Sequence, residues 1–232
     1  MTTDIFQKTI DQLDNFTPEE MLSWVRQAIQ REMESEDERD YQPLQSMGGT
    51  QNKLNDQARI NLRTACLILA EEFCRDQKAT VDYTRSLLSL VCELKLEEAA
   101  PLLVSAAQDY PNRPDQQPAV QNTMLGALLD LHVPQPTEFW EQAMSLGDGK
   151  FIVRPFSGIL KNDPTKALSI LPQLPERESM ADGICMTLSS HTNKLGQGER
   201  ELFLGQLKIE ASKCKPILMR ALKNIISRTR KY

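Results

Sequence analysis

Aromatic residues are scarce in this 232-residue chain, at 6%, and no alternation of apolar and polar residues runs long enough to predict a β-strand. Leu, Ala and Met supply much of the apolar content instead, and these residues are strong helix formers. The longest unbroken apolar run, residues 65–70, is far too short to cross a bilayer. The sequence therefore predicts an all-α protein that does not insert into a membrane.

The five cysteines include no C-x-x-C pair and form an odd set, which argues against both a disulfide framework and a zinc site. Four of them lie among apolar helical residues, where a reduced thiol packs as a small hydrophobic group. The first residues carry acidic groups where a secretion signal needs a basic start and a continuous apolar stretch. Together these features predict a cytoplasmic protein with no bound metal and no cofactor.

Clear helix-start chemistry occurs in the segment FTPEEMLSWVRQAIQREME. Thr17 is placed to cap this helix, Pro18 suits the first helical position, and Glu20 completes a capping box. A second strongly apolar helix is predicted from residue 57, with Ile60 and Phe73 among its buried residues. The intervening residues 36–54 hold a charge cluster, one proline and a glycine pair, which predict a linker or mobile loop.

The rest of the chain predicts a succession of further helices joined by short connections marked with proline. Thr80 and Asp163 are placed to cap two of them. Such helices favour a right-handed stack of antiparallel neighbours, an α-solenoid of the HEAT or tetratricopeptide kind, with a compact helical bundle as the alternative. The predicted organisation is an N-terminal helical pair at 1–35, the linker at 36–54 and a helical-repeat domain at 55–232.

Catalytic and ligand motifs are nearly absent. The segment LGDGK lacks the first glycine and the Ser or Thr of a phosphate-binding loop, so a helix-ending turn is the better interpretation. The only two histidines, His132 and His191, lie far apart in sequence, and no acidic residue in a recognisable setting would orient either as a base. The sequence therefore predicts no enzyme, although a hydrolase that brings Cys185 to a histidine stays open as an alternative.

Charge is distributed unevenly along the chain. Residues 1–50 hold 4 basic and 11 acidic residues, net −7, whereas residues 201–232 hold 8 basic and 2 acidic residues, net +6, in a chain of net charge −5. In the last segment, PILMRALKNIISRTR, apolar and basic residues fall on opposite sides of a helix, except that Arg228 lies near the apolar border. A final helix of this kind buries its apolar side and leaves a basic side for recognition.

These observations predict a non-enzymatic protein–protein interaction module, either an adaptor or an inhibitor of a basic partner protein. The alternative is a nucleic-acid-binding helical repeat that uses the basic C-terminal helix with Arg59, Arg63, Arg75 and Arg85. The sequence leaves the oligomeric state open. The candidate partner-binding residues form one acidic and one basic set, which are Glu34, Glu36, Asp37, Glu38, Arg220, Lys223, Arg230 and Lys231.

Overall fold

Helices form all the regular secondary structure in the part of the chain that the computed structural model describes, and that part contains no strand. The structure describes residues 2–34, 51–75, 80–109, 118–146 and 151–228. The all-α prediction is confirmed for these residues. The chain divides into two compact units, Met1–Val133 and Pro134–Tyr232.

The first unit contains six α-helices in its described part. They are α1 (Thr2–Leu13), α2 (Pro18–Glu34), α3 (Asp56–Arg75), α4 (Val81–Glu93), α5 (Ala100–Asp109, after a 3₁₀ turn at Glu97–Ala99) and α6 (Pro118–Asp130). Consecutive helices pack together in the pairs α2–α3, α3–α4 and α5–α6. Helices two apart also pack, since α2 contacts α4, α4 contacts α6, and α3 contacts α5.

Local cap chemistry fixes where these helices begin. The backbone N–H of Glu20 donates to Thr17 Oγ1 at 3.2 Å, and the N–H of Thr17 donates to Glu20 Oε2 at 2.8 Å, which confirms the predicted capping box of α2. The first of these two backbone bonds satisfies an amide that the helix itself leaves without a partner. Thr80 caps α4 through a hydrogen bond from the N–H of Tyr83, also as predicted.

Polar side chains connect the corner between α1 and α2 to α3. Asn55 donates from its side chain to the carbonyl of Asp14 and accepts from the N–H of Ala58, so it caps α3 while holding the corner. The buried Asn61 donates to the carbonyl of Phe16 at 3.0 Å. A buried amide without such a partner would be costly, so this bond specifies the packing of α3 against the corner.

The core of the first unit is apolar and follows the predicted stripes. Met21, Val25 and Ile29 of α2 are fully buried, in agreement with their spacing. Ile60 of α3 is the exception: it was expected in the core, but 56% of it is exposed. Its neighbours Ala58 and Leu62 are buried on the opposite side of the helix, which explains why counting apolar residues alone misplaced it.

Of the linker predicted at 36–54, residues 36–50 lie outside the described residues. Residues 51–54 form a turn in which the Leu54 side chain is buried. The guanidinium of Arg59 donates to the carbonyls of Gln51 and Leu54, so α3 holds this turn through one side chain.

The second unit also contains six α-helices in its described part. They are α7 (Thr137–Leu146), α8 (Val153–Asn162), α9 (Pro164–Ile170, followed by a 3₁₀ turn at Leu171–Gln173), α10 (Glu178–Lys194), α11 (Gln197–Ala211) and α12 (Pro216–Arg228). Consecutive helices pack in the pairs α7–α8, α8–α9, α10–α11 and α11–α12. Helices two apart pack as well: α8 with α10, α9 with α11, and α10 with α12.

Two glycines allow close helix packing in the second unit. A Cβ added at Gly158 of α8 would lie 2.1 Å from Cδ2 of the buried Trp140 in α7, and one added at Gly183 of α10 would lie 2.7 Å from Val153 of α8. Both distances are too short for any side chain. Glycine is therefore needed at both contacts, because the helices approach closely there.

Candidate partner-binding face

The last helix of the second unit, α12, has one apolar and one basic side. Leu218, Leu222 and Ile225 are buried, and Arg220 and Lys223 are exposed on the other side. We call the exposed pair Arg220 and Lys223 the basic face. This burial pattern agrees with the amphipathic pattern predicted from the sequence.

The start of α12 is fixed from another part of the unit. Pro216 occupies the first helical position, where its missing N–H costs nothing. The N–H of Ile217 donates to the carboxylate of Glu176 at 3.1 Å, so an acidic group meets the positive end of the helix dipole. These contacts hold the orientation of α12 and thus of its basic face.

Arg220 and Lys223 form no ion pair with another described residue, so their charges are available to a partner. Two other cations of the unit have contacts within it. Lys213 pairs with Glu210 at 2.8 Å, and Arg200 donates to the carbonyls of Thr192 and Leu195 at the end of α10. An exposed cation without an intramolecular partner loses no existing contact when it binds an acidic surface.

The four arginines of the nucleic-acid alternative are engaged within the first unit. Arg59 holds the 51–54 turn, and Arg63 donates to the carbonyl of Leu94 at 2.7 Å and pairs with Glu98 at 3.3 Å. The other two pair with acidic residues of their own helices: Arg75 with Glu71, and Arg85 with Asp82 at 3.4 Å. Each guanidinium would have to share or exchange an existing acceptor in order to bind a phosphate.

The acidic set of candidate residues is only partly placed. Glu34 is the last residue of α2, and its side chain lies outside the described residues, as do Glu36, Asp37 and Glu38. Arg230 and Lys231 also lie outside them. Of the eight residues predicted, the structure therefore brings together the basic pair Arg220 and Lys223 on one side of α12.

Two of the groups considered for a hydrolase, Cys185 and His191, are held apart on one helix. Cys185 and His191 lie on α10 six residues apart, which separates them by about 9 Å along the axis and about 120° around it. Burial raises the pKa of the Cys185 thiol to about 11, with a smaller contribution from Asp182, and so disfavours the thiolate. His132 belongs to the first unit, where its ring nitrogen Nδ1 contacts the carbonyl of Leu129 at 3.0 Å.

His191 is packed as a core residue on one side. Its ring centroid lies 5.0 Å from that of Phe203, and its Nε2 atom is buried without a hydrogen-bond partner in the described part of the chain. Burial lowers the pKa of His191, and the nearby Lys194 lowers it further. The neutral ring is therefore the form that this packing favours.

Within the described ranges, no group of three or more His, Cys, Asp or Glu side chains is arranged to hold a metal ion. Burial raises the pKa of the Cys66 thiol to about 12 and that of Cys214 to about 11. These thiols are thus protonated, apolar packing groups at neutral pH. None of the described helices combines the length and the apolar character needed to span a membrane.

Sequence reasoning missed a second surface, on α11. Leu202 and Ile209 of this helix are 78% and 59% exposed, whereas Phe203, Leu207 and Ala211 are buried. A helical projection of residues 197–211 would have separated these two groups, because the exposed pair falls outside the apolar stripe.

Comparison of the chain with protein-family models, curated proteins and solved structures finds no match.

Proposed function

We propose that this protein is a non-enzymatic protein–protein interaction module, an adaptor or an inhibitor, which binds a partner protein through the basic face on α12. The observation that carries the proposal is the pair Arg220 and Lys223, exposed and without an ion-pair partner among the described residues. Such a pair attracts an acidic surface and sets the orientation of binding more than it sets affinity.

The scaffold proposed for this function is a helical repeat of the HEAT or tetratricopeptide kind. Contacts between helices two apart support it: α2, α4 and α6 pack in series in the first unit, and so do α8, α10 and α12 in the second. In an α-solenoid, each helical pair buries its apolar side against the neighbouring pair, which leaves polar outer faces for partners. In the proposed arrangement, the basic face would be one such outer side.

The uneven charge of the chain adds a second binding preference to the proposal. The net charge of −7 in residues 1–50 suits a basic partner, whereas the +6 of residues 201–232 suits an acidic one. An adaptor would use both preferences, and an inhibitor would cover a basic partner with the acidic segment that includes Glu36, Asp37 and Glu38. The cytoplasmic location stays a prediction from cysteine usage.

The experiment compares capture of partner proteins by three forms of the full chain immobilised on beads. These forms are the wild type, Arg220→Gln/Lys223→Gln, and the matched control Lys95→Gln/Lys194→Gln, which removes two other exposed cations. Because both variants lose two positive charges, a general effect of net charge acts on them equally. Lysate of the native organism is treated with nuclease first, and the retained proteins are quantified by mass spectrometry.

We expect that the wild type and the control retain at least one protein in equal amounts. The basic-face variant should retain about tenfold less of it, which corresponds to a loss of about 1.4 kcal/mol of binding free energy. Equal retention by all three forms contradicts the role of the basic face. If proteins are retained only from a parallel lysate that was not treated with nuclease, and a labelled single-stranded or duplex oligonucleotide binds with an affinity that falls steeply with salt, the nucleic-acid alternative is established instead.

A further inference from the structure

Helix α11 presents a line of alternating large and small residues to solvent. At about 100° per residue, these residues project within about 80° of one another. All of them are exposed, and we call them the α11 stripe: Gly198, Leu202, Gly205, Ile209 and Ser212. The two large members, Leu202 and Ile209, are 78% and 59% exposed.

The glycines of the stripe have no packing role within the described part of the chain. A Cβ added at Gly198 or at Gly205 would meet no atom within 4 Å. Glycine in the middle of a helix costs about 1 kcal/mol relative to alanine, and Gly205 lies near the middle of α11. What glycine offers at an exposed helical position is the close approach of another backbone or side chain.

We propose that α11 pairs with α11 of a second copy of this chain, antiparallel and about a twofold axis. The register that places Leu202 against the partner's Gly205 also places Ile209 against the partner's Gly198, because both pairs are centred between residues 203 and 204. Each large side chain then fills the recess above a glycine, so the surface is complementary to itself, as a twofold interface requires.

Charge at the edge of the stripe favours the same arrangement. Glu201 and Lys208 are exposed and border the stripe on the same side of α11. In the antiparallel register, Glu201 lies beside the partner's Lys208, and symmetry repeats the pair. A parallel twofold pairing would instead put Glu201 and the partner's Lys208 on opposite edges of the contact. It would also set glycine against glycine, so that the large side chains would not meet the recesses.

The test is the mass of the full chain by sedimentation equilibrium at neutral pH. We expect the mass to rise from 26.3 kDa toward twice that value with concentration. The protein concentration should span roughly 1–200 μM, because a contact between one pair of helices is smaller than a standard interface and the dimer should therefore be weak. A wild-type protein that keeps the monomer mass over the whole range overturns the proposal.

Gly205→Gln tests the recess. The longer side chain would block the approach of Leu202, so we expect dimerisation to weaken at least about tenfold, although glutamine is the better helix former and the fold is not put at risk. Met186→Gln is the control, because it removes an exposed apolar side chain from α10 and leaves the stripe unchanged. Equal dimerisation by Gly205→Gln and the wild type contradicts the proposal.

A charge exchange tests the register. Glu201→Lys places like charges side by side and should weaken the dimer, whereas Glu201→Lys/Lys208→Glu should restore it because the two charges are only exchanged. A double variant that dimerises no better than Glu201→Lys contradicts the antiparallel register. Arg220→Gln/Lys223→Gln should dimerise as the wild type does, which separates this proposal from partner binding by the basic face.

Discussion

The exchange of hydrogen bonds between Thr17 and Glu20 shows how single residues fix an element in this protein. Both groups are exposed, yet their bonds define the start of α2, and accepting from the N–H and hydroxyl of Thr17 lowers the pKa of Glu20. Sequence alone predicted this box, because capping depends on residues three apart and not on distant packing.

Thr17→Ala should lower the free energy of unfolding by about 1 kcal/mol, since it removes the oxygen that accepts the N–H of Glu20. Urea titration followed by circular dichroism measures the change as an earlier midpoint. The control is Ser23→Ala, an exposed hydroxyl in the middle of the same helix. If both variants unfold at the same urea concentration, the capping box contributes no stability.

His191 gives the fold a dependence on pH whose sign is set by its lowered pKa. Above the ordinary value of 6.5 the ring is neutral in both folded and unfolded chains, but below it the unfolded chain takes up the proton first. Stability should therefore fall as pH drops below about 6.5. His191→Leu should reduce the difference between the unfolding midpoints at roughly pH 7.5 and pH 5.5.

Ser190→Ala, at the exposed neighbouring position, is the control for His191 and should keep the wild-type difference. If stability depends on pH in His191→Leu as it does in the wild type, the pKa of His191 is the same in the folded and the unfolded chain.

At the scale of helices, packing depends on contacts between residues that are distant in sequence. The pattern of apolar residues predicted most of the buried sides, and Asp163 caps α9 as predicted through the N–H of Lys166. The fit of Trp140 over Gly158, by contrast, could not be predicted, because it depends on how α7 and α8 cross. The same holds for Arg59 and Arg63, whose charges indicated a surface role but whose guanidinium groups hold backbone carbonyls.

Gly158→Ala should destabilise the second unit by about 1–3 kcal/mol, because the added methyl group overlaps the buried indole of Trp140. Thermal unfolding of the full chain measures this loss. Gly198→Ala is the matched control, measured like Gly158→Ala at about 1 μM so that pairing of the α11 stripe adds little to stability. Its methyl group meets no atom within 4 Å and should leave the midpoint unchanged or raise it. Equal losses in both variants would show that the close contact of α7 and α8 is not specific.

At the scale of the whole molecule, the contacts divide the chain at residue 133, a boundary that the sequence did not reveal. Pro134 and Pro136 follow this boundary, but proline pairs also occur elsewhere in the chain, so they do not identify it. Composition does predict the distribution of charge at this scale, because counting residues shows that the N-terminal segment is acidic and the C-terminal segment is basic. Which cations are available to a partner depends on the ion pairs of the folded chain.

Residues 1–133 and 134–232, expressed separately, should each fold, because each unit has its own apolar core. The measurement is circular dichroism at 222 nm, where the signals of the two fragments should add up to that of the full chain. Cooperative melting of each fragment is expected as well. A fragment that is largely unfolded on its own would show that the units depend on each other.

The central claim is that the basic face recruits a protein, and its most direct test is the partner recovered by Arg220→Gln/Lys223→Gln relative to the wild type after nuclease treatment. At about 0.15 M salt we predict a ratio near one tenth for this variant and a ratio near one for Lys95→Gln/Lys194→Gln. The two ratios should move closer together at about 0.5 M salt, because salt screens exposed charges. Equal ratios for the two variants at low salt would contradict the account.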